Sequence, residues 1–158
     1  MDIPSENVLL GAGTDIRSSA HLNNVSVGDR TKIRDYTIIF GSREHPAKIG
    51  HTSWVGAFCY FNGFWGLEIG DRVDIANSVN IYTDSGPEVS EKLLKKYPTK
   101  KGAVIIGSDV WINAGVLILP GVRIGSGVVI MPNTVVNRDV PDGVVYGGTP
   151  GRVIKKIF

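Results

Sequence analysis

Apolar residues recur at every sixth position along much of the chain. The unbroken run is Ile106, Ile112, Ile118, Ile124, Ile130 and Val136. Neither the helical period of about 3.6 residues nor the strand period of 2 makes every sixth position alike. A fixed short period is typical of a solenoid, and six-residue repeats indicate a parallel β-helix.

The same spacing continues towards the N-terminus in triplets. The earlier positions are Leu10, Ile16, Leu22, Val27, Ile33, Ile39, Ile49, Val55, Phe61, Ile69, Ile75 and Ile81. The longer gaps all fall after the third hexad of a triplet. Three hexads therefore make one triangular coil, and the sequence predicts about six coils, with every insertion leaving from the same corner. Successive coils should stack about 4.8 Å apart.

The pattern predicts an all-β protein with a single domain over residues 1–158, a long loop insertion at 82–105 and a short C-terminal tail. Two shorter insertions, at 40–48 and 62–66, are expected at the same corner. Within the long loop, Ser90 is placed to cap a short helix that Pro98 ends.

Composition narrows the class of protein without assigning a function. A single cysteine, Cys59, excludes an internal disulfide framework and fits a reducing compartment. The first six residues lack the features of a secretion signal, and no apolar stretch reaches the length of a membrane span. We therefore expect a cytoplasmic protein. A net charge of +2 is too small to indicate nucleic-acid binding.

The basic residues are unevenly distributed. One cluster lies in the long loop and another, Arg152, Lys155 and Lys156, lies close to the C-terminus. Each cluster has two interpretations of similar weight. It either keeps the surface soluble and protects an open end of the solenoid, or it attracts a polyanionic ligand such as a phosphorylated cofactor.

The second half of the chain closely resembles the hexapeptide-repeat acyltransferases, most of all the maltose and galactoside O-acetyltransferases and the acetyltransferases of polysaccharide biosynthesis. The motifs that carry this resemblance are LEIGDRVDIAN (67–77), IGSDVWI (106–112), LPGVRIG (119–125) and GGTPGRVIKK (147–156). These motifs are specific for the fold and say little about the acyl acceptor.

The resemblance implies a left-handed β-helix that forms a homotrimer, with acetyl-CoA in grooves between subunits and no metal. It also implies a saccharide or a nucleotide-linked amino sugar as acceptor. The cofactor-binding residues that it suggests are Trp111, Asn113, Ala114 and Gly115, and the charge of Arg152, Lys155 and Lys156 makes them further candidates for binding the cofactor. For Trp111, packing on the surface is an equally good interpretation.

The sequence departs from the family at the start of the long loop. O-acetyl transfer needs a base for the sugar hydroxyl, and in the family a histidine of this loop supplies it. Here the loop begins Thr83-Asp84-Ser85-Gly86-Pro87, so Asp84 and Gly86 occupy the two places where histidine is expected.

Three interpretations remain open. The first is transfer to an amine, which needs less help from a base, with Asp84 orienting the ammonium group. The second is O-transfer with a base recruited from another loop, for which His45 is the candidate. The third is a binding or assembly module without catalysis. Asp84 also fits a plain turn-forming role.

Other residues complete the predicted site. Asn62 matches a sugar-binding asparagine of related enzymes, Ser85 adjoins Asp84, and Trp65 with Phe64 could stack on a sugar or a base. Packing between subunits explains the two aromatic residues equally well. A zinc enzyme is disfavoured because it needs three histidine ligands, and His21 is not placed to join His45 and His51.

Overall fold

The fold is an almost entirely β structure built from short strands. The computed structural model describes residues 5–158, so residues 1–4, on which the expectation about secretion partly rests, lie outside it. The strands in chain order are β1 (Val8–Leu10), β2 (Asp15–Ile16), β3 (His21–Asn23), β4 (Val25–Val27), β5 (Lys32–Ile33), β6 (Ile38–Phe40), β7 (Ala47–Ile49), β8 (Trp54–Val55), β9 (Tyr60–Asn62), β10 (Leu67–Ile69), β11 (Asp74–Ile75), β12 (Asn80–Tyr82), β13 (Asp84–Ser85), β14 (Lys100–Lys101), β15 (Val104–Ile106), β16 (Trp111–Ile112), β17 (Leu117–Ile118), β18 (Arg123–Ile124), β19 (Val129–Ile130), β20 (Val135–Val136), β21 (Val144–Gly148) and β22 (Gly151–Lys156). The helix α1 spans Glu91–Lys96.

These strands stack into three parallel sheets, which are the faces of a prism. Face A has the order β1-β4-β7-β10-β15-β18, and face C has the order β3-β6-β9-β12-β17-β20. Face B has the order β2-β5-β8-β11-β16-β19-β21-β22, in which only β22 runs antiparallel to its neighbour. The coils form a left-handed parallel β-helix, as expected.

The six-residue period sets the register of all three faces. Each triplet contributes its first apolar position to face A, its second to face B and its third to face C, and equivalent positions pair directly, as Ile75 does with Ile112. Sixteen of the 18 positions are buried. The resulting column of aliphatic side chains is a narrow core that runs the length of the prism.

The core differs from the predicted pattern at its two ends. Leu10 is 51% exposed and Ile16 is only partly buried, because no coil lies beneath the first one. At the other end Tyr146 takes the place above Ile130 on face B and is 1% exposed. Its hydroxyl donates a hydrogen bond to the carbonyl of Gly151 at 2.7 Å, so this ring closes the core.

Three turns join the faces, and we name them by the faces they connect. The AB corner is typified by residues 107–110, the BC corner by 113–116 and the CA corner by 119–122. All three insertions leave from the CA corner, as predicted. The long one fills the gap between Tyr82 and Val104, with the ends of the predicted range already in strands.

Helix α1 lies within this long insertion. The Ser90 hydroxyl accepts a hydrogen bond from the backbone N–H of Leu93 at 3.3 Å, which confirms the predicted cap. None of the helical residues is buried. At six residues α1 is far too short to cross a bilayer, and residues 5–158 contain no helix that could.

The outer surfaces of the three faces differ in character. Face A presents mainly polar side chains such as Ser26, Lys48 and Glu68, and the last two form an ion pair at 3.3 Å. Face C presents a broad apolar surface instead. Its outward side chains include Ile38, Phe40, Tyr60, Tyr82, Leu117, Leu119 and Val135, all of which are partly exposed. The rings of Phe40, Tyr60 and Tyr82 contact one another along the stack.

Candidate active site

The root of the long loop is a two-stranded ribbon at the CA corner. Strand β13 pairs antiparallel with β14, so that Asp84 lies opposite Lys101 and Ser85 opposite Lys100. The backbone N–H of Gly102 donates to the carbonyl of Thr83 at 2.9 Å and ties the ribbon to the corner. The two ends of the loop are therefore held in place by backbone hydrogen bonds.

The Asp84 carboxylate is held by two neutral donors. Its Oδ1 accepts a hydrogen bond from Asn62 Nδ2 at 2.9 Å, and its Oδ2 accepts one from Trp65 Nε1 at 3.0 Å. The backbone N–H of Trp65 in turn donates to Thr83 Oγ1 at 3.0 Å. Three residues that the sequence suggested separately, Asn62, Trp65 and Asp84, are thus joined in one hydrogen-bond network.

A cation completes this network. Lys101 Nζ lies 4.2 Å from the centre of the Trp65 ring, a distance at which the ring face attracts an ammonium group. Sequence analysis placed Lys101 only within the basic cluster of the loop. The signal that would have singled it out is the antiparallel pairing of the loop's two ends, which no periodicity predicts.

Asp84 also lies close enough to face C to influence the pKa of Tyr60. Burial raises the pKa of Tyr60, and the nearby Tyr82 and Asp84 shift it in the same direction. Tyr82, the last ring of the Phe40–Tyr60–Tyr82 stack, is two residues from Asp84 in the chain.

Ser85 lies apart from the Asp84 network. It lines a cavity of about 400 Å³ between the loop and the turns of the later coils. Tyr97, Lys100, Leu119 and Asn137 also line this cavity. The structure therefore brings Ser85 near the loop but not to the side chains that hold Asp84.

Position 86, one of the two places where histidine is expected, has no room for a side chain in this loop conformation. A Cβ at Gly86 would overlap Thr99 Oγ1 and lie 2.7 Å from Thr99 Cα. The returning segment of the loop occupies that space. A histidine at position 86 would thus require the loop to be rebuilt.

His45 lies on the 40–48 insertion, which leaves the CA corner two coils before the long loop. It is exposed, and its backbone forms a tight turn with Ser42 through two hydrogen bonds of 3.0 Å. It lines a cleft of about 400 Å³ together with Phe64 and Trp65. Trp65 thus borders both His45 and Asp84, but within residues 5–158 no hydrogen bond joins His45 to Asp84.

The other two histidines lie elsewhere on the prism. His21 is on face C in the first coil, and His51 is an exposed residue of the AB corner whose Nδ1 accepts a hydrogen bond from the backbone of Asp29 at 2.9 Å. In the part of the chain that the structure describes, no group of three His, Cys, Asp or Glu side chains could hold a metal ion.

The suggested cofactor residues begin at the BC corner. Trp111 is 51% exposed on face B and lines a groove with Val129 and Phe158. Asn113, Ala114 and Gly115 form the adjoining turn, where Asn113 Nδ2 donates to the carbonyl of Ile130 at 2.8 Å. Gly115 has a φ of +73°, and a Cβ there would overlap Asn133 Oδ1. The turn therefore presents a low, close-packed surface.

The basic residues lie at the C-terminal end of the prism. Lys155 and Lys156 pair with Val145 and Val144 along β22. Arg152 lines a cavity of about 820 Å³ that Arg138 also borders. Arg138 was not singled out in the sequence, because it reaches this cavity from the last turn of the repeat.

Asp84 and the suggested cofactor residues therefore lie on different edges of the prism. Asp84 is at the CA corner, whereas Ala114 and Gly115 are at the BC corner. These two corners are the opposite edges of face C, the apolar face. In a single chain the two sets of residues do not meet.

Comparison with known proteins identifies one family model and several similar acetyltransferases. Residues 103–138 match the family described as bacterial transferase hexapeptide (six repeats). Galactoside O-acetyltransferase from Escherichia coli is 33% identical over 135 residues, which cover 73% of this chain and 66% of that protein. Galactoside O-acetyltransferase from Lactococcus lactis is 43% identical over 89 residues, or 56% of this chain and 42% of the relative.

Solved structures extend the similarity to nearly the whole chain. AntD, an N-acyltransferase from Bacillus cereus solved with dTDP and 3-hydroxybutyryl-CoA, has a TM-score of 0.83 and 27% identity, covering 96% of this chain and 84% of AntD. A hexapeptide-repeat acetyltransferase from Vibrio cholerae, solved with acetyl-CoA, has a TM-score of 0.66 and 26% identity, covering 96% and 72%.

The curated relatives and the solved structures differ in how much of their length the chain matches. The chain spans about half the length of most of the curated relatives it matches. The repeat motif, the prism and the relatives nevertheless agree with one another. The chain belongs to the hexapeptide-repeat acyltransferase family.

Proposed function

We propose that this protein transfers an acyl group from an acyl-CoA to the amino group of a nucleotide-linked sugar. The observation that carries the proposal is the Asp84 carboxylate, fixed by Asn62 and Trp65 at the root of the loop. Of the two places where the family has histidine, one is Asp84 itself and the other, Gly86, is closed by Thr99. A carboxylate in this position attracts an ammonium group. It offers less to a neutral hydroxyl, which must lose its proton as it reacts.

The chemistry needs a positioned amine more than a strong base. The free amine attacks the thioester carbonyl, a C–N bond forms, and the C–S bond breaks to release coenzyme A. The proton lost by nitrogen ends on the departing sulfur, with Asp84 accepting or relaying it. Because Asn62 and Trp65 fix both carboxylate oxygens, Asp84 is oriented before the acceptor arrives.

The comparison with AntD supports an amine acceptor. That enzyme is an N-acyltransferase, and a point mutant of it has been solved with dTDP-4-amino-4,6-dideoxyglucose and coenzyme A. The galactoside O-acetyltransferases are also relatives, so family membership alone does not choose between nitrogen and oxygen. The choice of nitrogen rests on the Asp84 network and the closed position of Gly86.

The proposed binding site for acyl-CoA comprises the BC corner and the C-terminal end of the prism. The low turn at Ala114 and Gly115 suits the narrow pantetheine arm, which needs a close approach to the backbone. Arg152, Lys155 and Lys156 supply the positive charge that phosphates require. Trp111 and Asn113 flank the same stretch of the edge.

A homotrimer would bring the two edges together. If the apolar face C turns towards a three-fold axis, the BC corner of one copy faces the CA corner of the next. Burial of Tyr60, Tyr82 and Leu117 between copies provides the driving force for assembly. One site would then combine Asp84 of one copy with Ala114 and Gly115 of its neighbour.

O-transfer with His45 as base is the second candidate. The observation in its favour is the cleft that His45 shares with Trp65, the residue that holds Asp84. A shift of the exposed 42–45 turn would be needed to bring the imidazole to the carboxylate. The variant His45→Ala separates the two functions, because N-transfer directed by Asp84 should survive it.

The test is release of free thiol from acetyl-CoA with nucleotide amino sugars and with plain sugars. We expect release with amino acceptors and a loss of about 100-fold or more in kcat/KM for Asp84→Asn. Glu88→Gln, which removes an exposed carboxylate from the same loop, is the matched control and should change little. Release that depends on His45 and requires a hydroxyl acceptor would establish O-transfer. No release and no binding of coenzyme A would leave a module without catalysis.

A further inference from the structure

Two large aromatic rings are exposed to solvent at the BC corner. Tyr36 and Phe58 are 62% and 61% exposed, and their rings stack with centres 5.4 Å apart at an angle of 13°. Both residues have left-handed backbone conformations, with φ of 57° and 58°. Bulky residues are uncommon in that region. Neither ring packs into the core, so core packing does not explain them.

The same turn position in later coils holds small or polar residues. It is occupied by Ser78, Gly115 and Asn133, with φ values of 60°, 73° and 55°. The stack therefore runs parallel to the axis of the prism and stops at Phe58. Coils repeat about every 4.8 Å, slightly more than the thickness of a flat ring. Phe58 is 61% exposed, and within residues 5–158 no other ring continues the stack at the level of Ser78.

We propose that the Tyr36–Phe58 pair is a platform on which the base of a nucleotide-linked acceptor stacks. This inference rests on the proposed function and adds how the nucleotide is recognised. A base above Phe58 would continue the stack, and aromatic stacking with a base is sequence-tolerant and strong. Asn77 and Ser78 are exposed at the same level. Asn77 Oδ1 accepts a hydrogen bond from the backbone N–H of Ala57 at 2.9 Å, so Asn77 Nδ2 and the Ser78 hydroxyl are the groups that can bond to the edge of the base.

The position of the basic cluster indicates that the base on this platform is not the adenine of coenzyme A. The cluster of Arg152, Lys155 and Lys156 lies at the C-terminal end, beyond the last coil, whereas Tyr36 and Phe58 lie in the second and third coils. The acyl carrier and the acceptor would therefore approach along the same edge from opposite ends. Ala114 and Gly115 lie between them.

The test measures binding of dTDP and UDP alone, by calorimetry, to the full chain. Phe58→Asn removes one ring and keeps a residue that tolerates positive φ. Ser78→Phe keeps both rings and fills the place above Phe58. We expect each variant to weaken binding of dTDP or UDP by about tenfold or more, with coenzyme A binding unchanged. Leu9→Asn, which changes an exposed apolar residue on face A, is the control.

Three results would overturn the inference. The variants could bind dTDP and UDP as the unaltered protein does. Coenzyme A binding could weaken in parallel, which would make the pair an adenine site. The variants could lose their oligomeric state in light scattering, which would make the pair a contact between copies. Failure of the proposed function is a separate result: no thiol release with any amino sugar, although dTDP binding still depends on Phe58.

Discussion

At the scale of single residues, the central feature is a carboxylate with both oxygens engaged by neutral N–H donors. Asn62 comes from the end of β9 and Trp65 from the insertion that follows it, while Asp84 begins the loop of the next coil. These residues meet because all the insertions leave from one corner. Lys101, above the Trp65 ring, adds a positive charge close by.

Trp65→Phe tests the arrangement of Asp84 without removing its charge. The phenyl ring keeps a face for Lys101 but loses the Nε1 donor to Asp84 Oδ2. We expect kcat/KM for an amino acceptor to fall by about tenfold, in line with the loss of one hydrogen bond to a charged group. Steady-state kinetics of thiol release measure it. An unchanged value would show that the Trp65 bond does not matter for catalysis.

Cys59 provides a residue-scale test of the core. It is 2% exposed, and burial raises the pKa of its thiol above the ordinary value near 9.0, although backbone and Thr37 hydrogen bonds oppose this. In the folded protein we expect very slow labelling by a disulfide reagent, with fast labelling in denaturant. Rapid labelling of the folded protein would contradict the buried position.

The same group has a pH consequence with a definite sign. A raised pKa in the folded state means that the unfolded chain loses its thiol proton first as the pH rises. The contribution of Cys59 to stability is therefore complete below pH 9.0 and is lost above it. Cys59→Ser or Cys59→Ala should flatten the fall in unfolding free energy over that range, as measured by urea titration at several pH values.

Sequence analysis found Asn62, Trp65 and Asp84 but not their connection. The six-residue period fixes which coil and which corner a residue occupies, so it places all three at the same edge. It carries no information on the path of the long loop. For that reason the pairing of Asp84 with Lys101 and the closure of Gly86 by Thr99 could be known only from the structure.

At the scale of elements, stability comes from stacking equivalent apolar positions of neighbouring coils. Ile106 of face A is 2% exposed, whereas Leu10 at the same hexad position of the first coil is 51% exposed. Ile106→Ala should lower the free energy of unfolding by about 2–5 kcal/mol, because it leaves a cavity between two coils. Leu10→Ala should cost less than about 1 kcal/mol. Denaturant unfolding of the two variants compares them, and equal costs would contradict the stacked core.

The loop root is the second element whose structure can be tested. Gly86→His restores the residue type of the related O-acetyltransferases but clashes with Thr99. We expect it to lose transfer to amino acceptors without gaining transfer to hydroxyls, and to speed proteolysis within residues 87–99. Gly86→His combined with Thr99→Gly relieves part of the clash and should slow the proteolysis again. A gain of hydroxyl transfer in the single variant would refute this account of the closed position.

The repeats themselves were the most predictable elements. Every hexad position assigned to a face lies on that face, because burial of a single column of side chains dictates the register. The ends were less predictable. Tyr146 closes the core 16 positions after Ile130, and no period connects the two.

At the scale of the whole molecule, assembly through face C is the step that would complete the site. Leu117→Glu places a charge on the apolar face and should convert the proposed trimer into smaller species with loss of activity. Ile105→Glu makes the same change on the outward side of face A and should leave the trimer intact. Light scattering coupled to size exclusion measures both, and a trimer that survives Leu117→Glu would place the interface elsewhere.

The most direct test of the central claim is the bond formed in the product. The unaltered protein, with acetyl-CoA and a nucleotide-linked amino sugar, should give an acetylated product that hydroxylamine does not cleave, as expected for an amide. The matching acceptor with a hydroxyl in place of the amine should give no product above background. A hydroxylamine-labile ester formed from the hydroxyl acceptor at a comparable rate would contradict amine-directed transfer by the Asp84 site.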